Sequence, residues 1–169
     1  MNQAQIHLAL THVPVMLTLF GVVTMIASII TKNKTVSQVS LWTLVAAGVF
    51  AIPAFLTGEG AEEVAERIPT ILESTIEDHE HFAEVSLWIV ISAAILAATS
   101  LIKISGKSVS AILVYPVLAF ALAAAGTMGY TAHLGGQIRH PEIHTGFVTG
   151  GAQNSASEDY QEANYKDEH

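Results

Sequence analysis

Four long stretches without a charged side chain constrain this chain more than any other feature. Asp, Glu, Lys and Arg are absent from four stretches, residues 1–31, 35–58, 85–102 and 108–138. A helix that crosses a bilayer needs about 20 mostly apolar residues, and a soluble core in a chain of 169 residues does not require four such runs. We predict an all-α integral membrane four-helix up-down bundle, with helices at about 6–31, 37–57, 74–105 and 108–134.

The segments between these stretches carry recognisable boundary signals. Ser74 and Glu77 have the spacing of a capping box, which predicts the start of the third spanning helix. The amphipathic run 59–67 predicts a short interfacial helix that ends in a turn at Pro69. Residues 1–145 form the predicted transmembrane domain, and 146–169 form an acidic polar tail. The first stretch lacks a basic leading region, so we expect it to remain as a spanning helix.

The lysines and the acids lie on opposite sides of the predicted bundle. Lys32, Lys34, Lys103 and Lys107 occupy the two short connections at one end, whereas all 15 acids fall in 59–84 or after residue 140. Short loops rich in Lys and Arg stay on the cytoplasmic side of a membrane. We therefore expect a multi-pass protein of the bacterial inner membrane, with both termini on the outer, periplasmic side.

Histidine is the unusual ionisable residue of this chain, with eight copies against seven Lys and Arg together. In an up-down bundle seven of the eight fall at the outer end, because they lie near the starts of the first and third helices and around the end of the fourth. His79 and His81 project about 200° apart on one helix. Small residues at helical spacing from His79 predict that His79 faces the bundle.

Imidazole is a ligand for haem iron, copper, zinc and non-haem iron, and polar groups within membrane segments are usually functional. His12 and His79 are predicted at comparable depth on diagonal helices, which favours them as axial ligands of a haem b. His7 and His140 are the next candidates, for the same haem or a second one. Arg139 is positioned to pair with haem propionates.

Other ligand sets stay open at this point. His81 and His133 rank lower as metal ligands, and copper, zinc or non-haem iron are alternatives to haem, as is the absence of any cofactor. The chain has no cysteine, which excludes thiolate metal sites, iron–sulfur clusters bound by cysteine and covalent c-type haem. The acidic balance excludes a nucleic-acid partner.

Five short strings of the sequence are distinctive in combination: Ile6-His7-Leu8, Thr11-His12-Val13-Pro14, 57–63, 76–80 and 134–140. Together they resemble a bacterial family of four-helix membrane proteins of unknown function, found alone or fused to c-type cytochrome or Rieske domains. The resemblance covers about residues 5–144, and singles out His7, His12, His79 and His140. The fusions imply an electron-transfer setting on the outer side.

We expect, from these observations, a membrane electron-transfer subunit that binds one or two haem b groups at its periplasmic end. Its expected partners are the lipid bilayer, other subunits of a respiratory or photosynthetic complex and a periplasmic electron carrier such as cytochrome c. The alternatives are a cofactor-free structural subunit and a non-haem metal-binding or transport protein. No nucleophile elbow, phosphate loop or paired-carboxylate motif is present, so we expect no independent enzymatic activity.

Overall fold

The computed structural model of the chain describes residues 3–68, 71, 73–104, 107–108 and 110–139. This part of the chain contains four long helices, one short helix and a small antiparallel hairpin. The elements are α1 Gln3–Thr31, α2 Lys34–Leu56, α3 Gly58–Ala65, α4 Glu73–Leu101, β1 Lys103–Ile104, β2 Lys107–Ser108 and α5 Ser110–Arg139.

Four helices, α1, α2, α4 and α5, are long and apolar enough to cross a membrane. The prediction of an all-α architecture with four spanning helices is confirmed at this level. Large apolar side chains remain exposed along the outside of the long helices. Such a surface fits a lipid environment. Examples are Met16, Val23, Ile30, Trp42 and Trp88.

The connection between α1 and α2 is tighter than the sequence pattern predicted. Lys32 adopts a left-handed backbone with φ of 53°, the conformation that commonly ends a helix. The Asn33 side chain then accepts hydrogen bonds from the backbone N–H groups of Thr35 and Val36. Because this N-cap starts α2 at Lys34, the helix begins before the predicted Ser37.

The acidic connection between α2 and α4 contains the short helix that the amphipathic run predicted. Thr57 separates α2 from α3, and α3 ends at Ala65 with the C-cap at Glu66. The predicted turn at Pro69 lies outside the described residues. α4 begins at Glu73, so Ser74, the predicted N-cap, lies inside the first turn.

The other lysine-bearing connection is a hairpin. The third predicted helix was expected to run to Ser105, but α4 ends at Leu101, and Lys103–Ile104 pairs with Lys107–Ser108. Only two residues separate these strands, a length typical of a tight hairpin. The fourth spanning helix, α5, extends to Arg139, past its predicted end at Leu134.

The four long helices pack as a ring in which α2 lies between α1 and α4, and α5 packs on α4. α1 and α5 close the ring with the sparsest packing of the four adjacent pairs, and α1 and α4 lie on the diagonal. Small residues allow the close approach of these helices. The buried ones include Ala47, Ala51, Ala93, Ala97, Ala121 and Ala124.

Candidate functional site

Two histidine rings meet at the acidic end of the bundle, near the start of α1 and the start of α4. The ring centres of His7 and His79 are 6.5 Å apart, and the ring planes are inclined by 79°. Both rings are partly buried. The two side chains come from diagonal helices, so they meet across the interior of the bundle.

The end of α2 holds the His7 ring. His7 Nδ1 lies 3.1 Å from the Ala54 carbonyl oxygen and 3.2 Å from Thr57 Oγ1. The Thr57 hydroxyl donates to the same carbonyl at 2.8 Å. Carbonyl groups in the last turn of a helix lack helical partners, and a carbonyl can only accept. His7 therefore carries its proton on Nδ1 and leaves Nε2 unprotonated in the neutral ring.

The C-terminal half of α5 holds the His79 ring in the same way. His79 Nδ1 donates to the Thr131 carbonyl at 2.9 Å. A Cβ placed on Gly135 would lie 3.1 Å from His79 Cε1, so the absence of a side chain at Gly135 gives the ring its place. The Thr131 hydroxyl also contacts Ser86 Oγ at 3.2 Å, which links α5 to α4 just below the ring.

The two rings share one arrangement, in which Nδ1 is bonded to a backbone carbonyl of a neighbouring helix. A histidine that binds a metal through one nitrogen commonly donates its other N–H to a carbonyl, which sets the tautomer and the ring orientation. Within the described residues, no hydrogen bond involves Nε2 of His7 or of His79. Both Nε2 atoms therefore keep a lone pair for a ligand.

The remaining predicted site residues lie elsewhere. His12 is exposed, and its Nδ1 bonds to the Leu8 carbonyl of its own helix. The structure thus pairs His79 with His7, and it forms no ring contact between His79 and His12 in the described part of the chain. His79 faces the bundle while His81 is exposed, in agreement with the small-residue pattern.

Three further predictions concern the end of α5 and the segment beyond it. His133 is exposed, and its Nε2 lies 3.2 Å from Gln137 Nε2. Arg139 is the last residue of α5, and its pairing with a haem propionate stays a prediction. His140, the predicted partner of His7 for a second haem, lies outside the described residues, as does the tail 146–169.

A metal held only by protein side chains finds few ligands here. Within the described residues, no group of three or more His, Asp or Glu side chains converges on one point. The sequence analysis did not identify Thr57 or the Ala54 and Thr131 carbonyls as partners of the histidines. No side-chain pattern identifies a backbone carbonyl as a partner, but the small residues Gly135 and Gly136 next to a predicted helix end were a signal of close approach.

Comparisons with known proteins give one match. Neither the curated proteins nor the solved structures that were compared include a match to this chain. A family model described as a predicted membrane protein, DUF2231, matches residues 3–141. That range contains all four spanning helices and the His7–His79 pair, and it exceeds half of the sequence. The chain therefore belongs to the DUF2231 family of predicted membrane proteins.

Proposed function

We propose that the chain is a membrane electron-transfer subunit that binds haem b between His7 and His79. The observation that carries this proposal is the 6.5 Å separation of the two ring centres. Two imidazoles that bind one metal ion at about 2 Å each, with about 1 Å from nitrogen to ring centre, would have ring centres about 6 Å apart. Haem would supply reversible one-electron chemistry here, and His7 and His79 would hold it.

The number of protein ligands favours haem over the other metals. The porphyrin supplies four nitrogen ligands itself, so only two side chains are needed. Structural zinc sites use four protein ligands and catalytic ones three. No such group of three converges within the described residues, whereas the His7–His79 pair has its Nδ1 atoms occupied and its Nε2 atoms available.

The packing of α5 supports a flat cofactor near this pair. α1 and α5 pack more sparsely than the other adjacent helices. Gly135 lies against the His79 ring and carries no side chain that would fill the space beside it. The sparse packing between α1 and α5 therefore favours room for a flat macrocycle near the pair.

The charge distribution supports the periplasmic orientation and the partner. The described outer segments carry nine acids, Glu59, Glu62, Glu63, Glu66, Glu73, Glu77, Asp78, Glu80 and Glu84, whereas Arg67 is paired weakly with Glu63 at 4.0 Å. An acidic face accelerates association with a basic soluble electron carrier such as cytochrome c, and salt weakens the effect. The proposed site lies at this acidic end.

An absorption spectrum tests the haem proposal. We expect purified protein to show Soret and α bands that sharpen on reduction with dithionite. His7→Ala and His79→Ala should each lose the haem, while His12→Ala, which removes an exposed histidine from the same helix as His7, should retain it. Circular dichroism and gel filtration check that all three variants fold.

Two outcomes would contradict the proposal. A wild-type protein that stays colourless, when isolated from cells that make haem, would leave the cofactor-free structural subunit and the non-haem metal-binding protein, and metal analysis would separate these two. Full haem content in both His7→Ala and His79→Ala would show that other residues bind the haem, and His12 and His140 would be tested next.

A further inference from the structure

Four rings form a connected row on the outer parts of α4 and α5. Ring centres are 5.5 Å apart for His81 and Phe82, 4.5 Å for Phe82 and Tyr130, and 6.4 Å for Tyr130 and His133. We call His81, Phe82, Tyr130 and His133 the ring row. The two central rings pack across the helix boundary, and an imidazole follows at each end.

The ring row lies on the outside of the bundle. Tyr130 is 47% exposed, and His81 and His133 are exposed as well. The row also lies beside the proposed haem site. Phe82 follows His79 by one helical turn on α4, and Tyr130 precedes Thr131, whose carbonyl accepts the His79 hydrogen bond.

The Gln137 side chain favours one tautomer of His133. The Gln137 side-chain nitrogen lies 3.2 Å from His133 Nε2. An amide nitrogen only donates, so in the assigned amide orientation Nε2 accepts and the imidazole proton is on Nδ1. His133 thus has one N–H available for a bound acceptor. At the other end, His81 makes no side-chain hydrogen bond within the described residues.

This chemistry differs from that of a membrane anchor. Tyr side chains gather at membrane interfaces because the ring is apolar and the hydroxyl is polar, and that accounts for Tyr130 alone. Two imidazoles that flank an aromatic pair add hydrogen-bonding groups at two opposite ends of an apolar surface. A flat ring with an oxygen at each end matches this layout, and it would reach an exposed row from the lipid.

We propose that the ring row binds the headgroup of a quinone or quinol. Because the Phe82 and Tyr130 planes are inclined by 72°, the quinone ring lies flat on one of them and against the edge of the other, and its two oxygens bond to His81 and His133. The relevance of this site to electron transfer rests on the proposed function, since it brings a lipid-soluble redox carrier beside His79. The binding itself does not require haem.

Photolabelling tests the site in the full chain. The probe is an azido-benzoquinone with a decyl chain, added to purified protein in detergent, and the label is located by mass spectrometry. We expect label in 79–84 and 130–137, removed by an excess of unlabelled decyl-benzoquinone. The double variant His81→Ala, His133→Ala should need about tenfold more unlabelled decyl-benzoquinone to remove the label, because two hydrogen bonds are lost.

The controls separate this inference from the haem proposal. His12→Ala removes an exposed histidine of another helix and should leave the labelling unchanged. His7→Ala should lose haem yet keep the label, and the His81→Ala, His133→Ala double variant should keep its haem spectrum. Label that competitor does not remove, or equal competition in wild type and double variant, would overturn the quinone site. A colourless wild-type protein that is still labelled at the ring row would support the site while it contradicts the haem proposal.

Discussion

At the residue scale, the lack of a side chain at Gly135 determines where the His79 ring lies. A Cβ at this position would lie 3.1 Å from His79 Cε1 and 3.4 Å from Nδ1. We expect Gly135→Ala to displace the ring by a few tenths of an ångström and to strain its bond to the Thr131 carbonyl. Disturbing such a supporting contact typically weakens metal binding about tenfold or more. When a competing haem-binding protein is added, Gly135→Ala should therefore lose its haem at a lower competitor concentration than wild type.

The next residue gives a matched control for Gly135. A Cβ on Gly136 would have no atom within 4 Å, and both substitutions have the same helix propensity benefit. Gly136→Ala should therefore keep the wild-type haem affinity. Equal affinities in the two variants would show that the Gly135 contact does not position His79.

Thr18 leads to a stability prediction at the same scale. Its side chain is 1% exposed, and its hydroxyl has no hydrogen-bond partner within the described residues. A buried unsatisfied hydroxyl costs about 1–3 kcal/mol, and valine has the same shape without it. We expect Thr18→Val to raise the free energy of unfolding by about 1 kcal/mol, measured by denaturation in mild detergent.

The matched substitution for Thr18→Val is Thr24→Val in the same helix. The Thr24 hydroxyl donates to the Phe20 carbonyl at 2.7 Å, so its removal relieves no unsatisfied group and should not stabilise. A loss of stability in Thr18→Val would mean that the Thr18 hydroxyl has a partner, such as a buried water.

At the scale of the element, the close packing of α2 on α4 depends on Gly48. A Cβ at this position would lie 2.5 Å from Ala94 Cβ and 3.5 Å from the Val90 carbonyl oxygen. Neither neighbour is the end of a flexible side chain, so the two helices would have to separate. Gly48→Ala should lower the free energy of unfolding by about 1–3 kcal/mol. Gly126→Ala, where a Cβ meets no atom within 4 Å, should show no loss.

The uncharged stretches predicted the existence of all four spanning helices, but their ends depended on local chemistry. The start of α2 follows from the Asn33 cap, which the prediction overlooked although Asn is a preferred N-cap residue. The end of α4 was missed because the pattern could not show that Lys103–Ile104 pairs with Lys107–Ser108. The extension of α5 past Leu134 was missed because Gly135 and Gly136 usually weaken a helix.

The choice between His7 and His12 required the rotation of α1 about its axis. The two positions differ by about 140°, and hydropathy does not distinguish them because every face of α1 is apolar. The structure buries Pro14, Thr18 and Met25, which share the face of His7. The face of His12 instead carries the exposed residues Met16, Leu19 and Val23. The small residue Gly21, which packs against Leu44, was the available signal for the inward face.

The distribution of charge is the feature of the whole molecule that sets its predicted orientation. The lysines lie in the α1–α2 connection and in the β1–β2 hairpin, at the end of the bundle opposite the His7–His79 pair. Lys and Arg in short loops determine orientation, and Asp and Glu contribute little. Because the proposed haem lies at the acidic end, orientation decides which compartment its soluble partner occupies.

The absence of cysteine allows a direct measurement of this orientation. Thr35→Cys places one exposed thiol at the lysine-bearing end, and Glu63→Cys places one at the acidic end, and both substitutions keep all seven basic residues. In intact spheroplasts, a membrane-impermeant maleimide should label Glu63→Cys and leave Thr35→Cys unlabelled, since four lysines hold that end in the cytoplasm. Both thiols should react after the membrane is permeabilised, which checks their accessibility. Labelling of Thr35→Cys alone in intact spheroplasts would reverse the orientation and place the proposed haem site, with its acidic surface, on the cytoplasmic side.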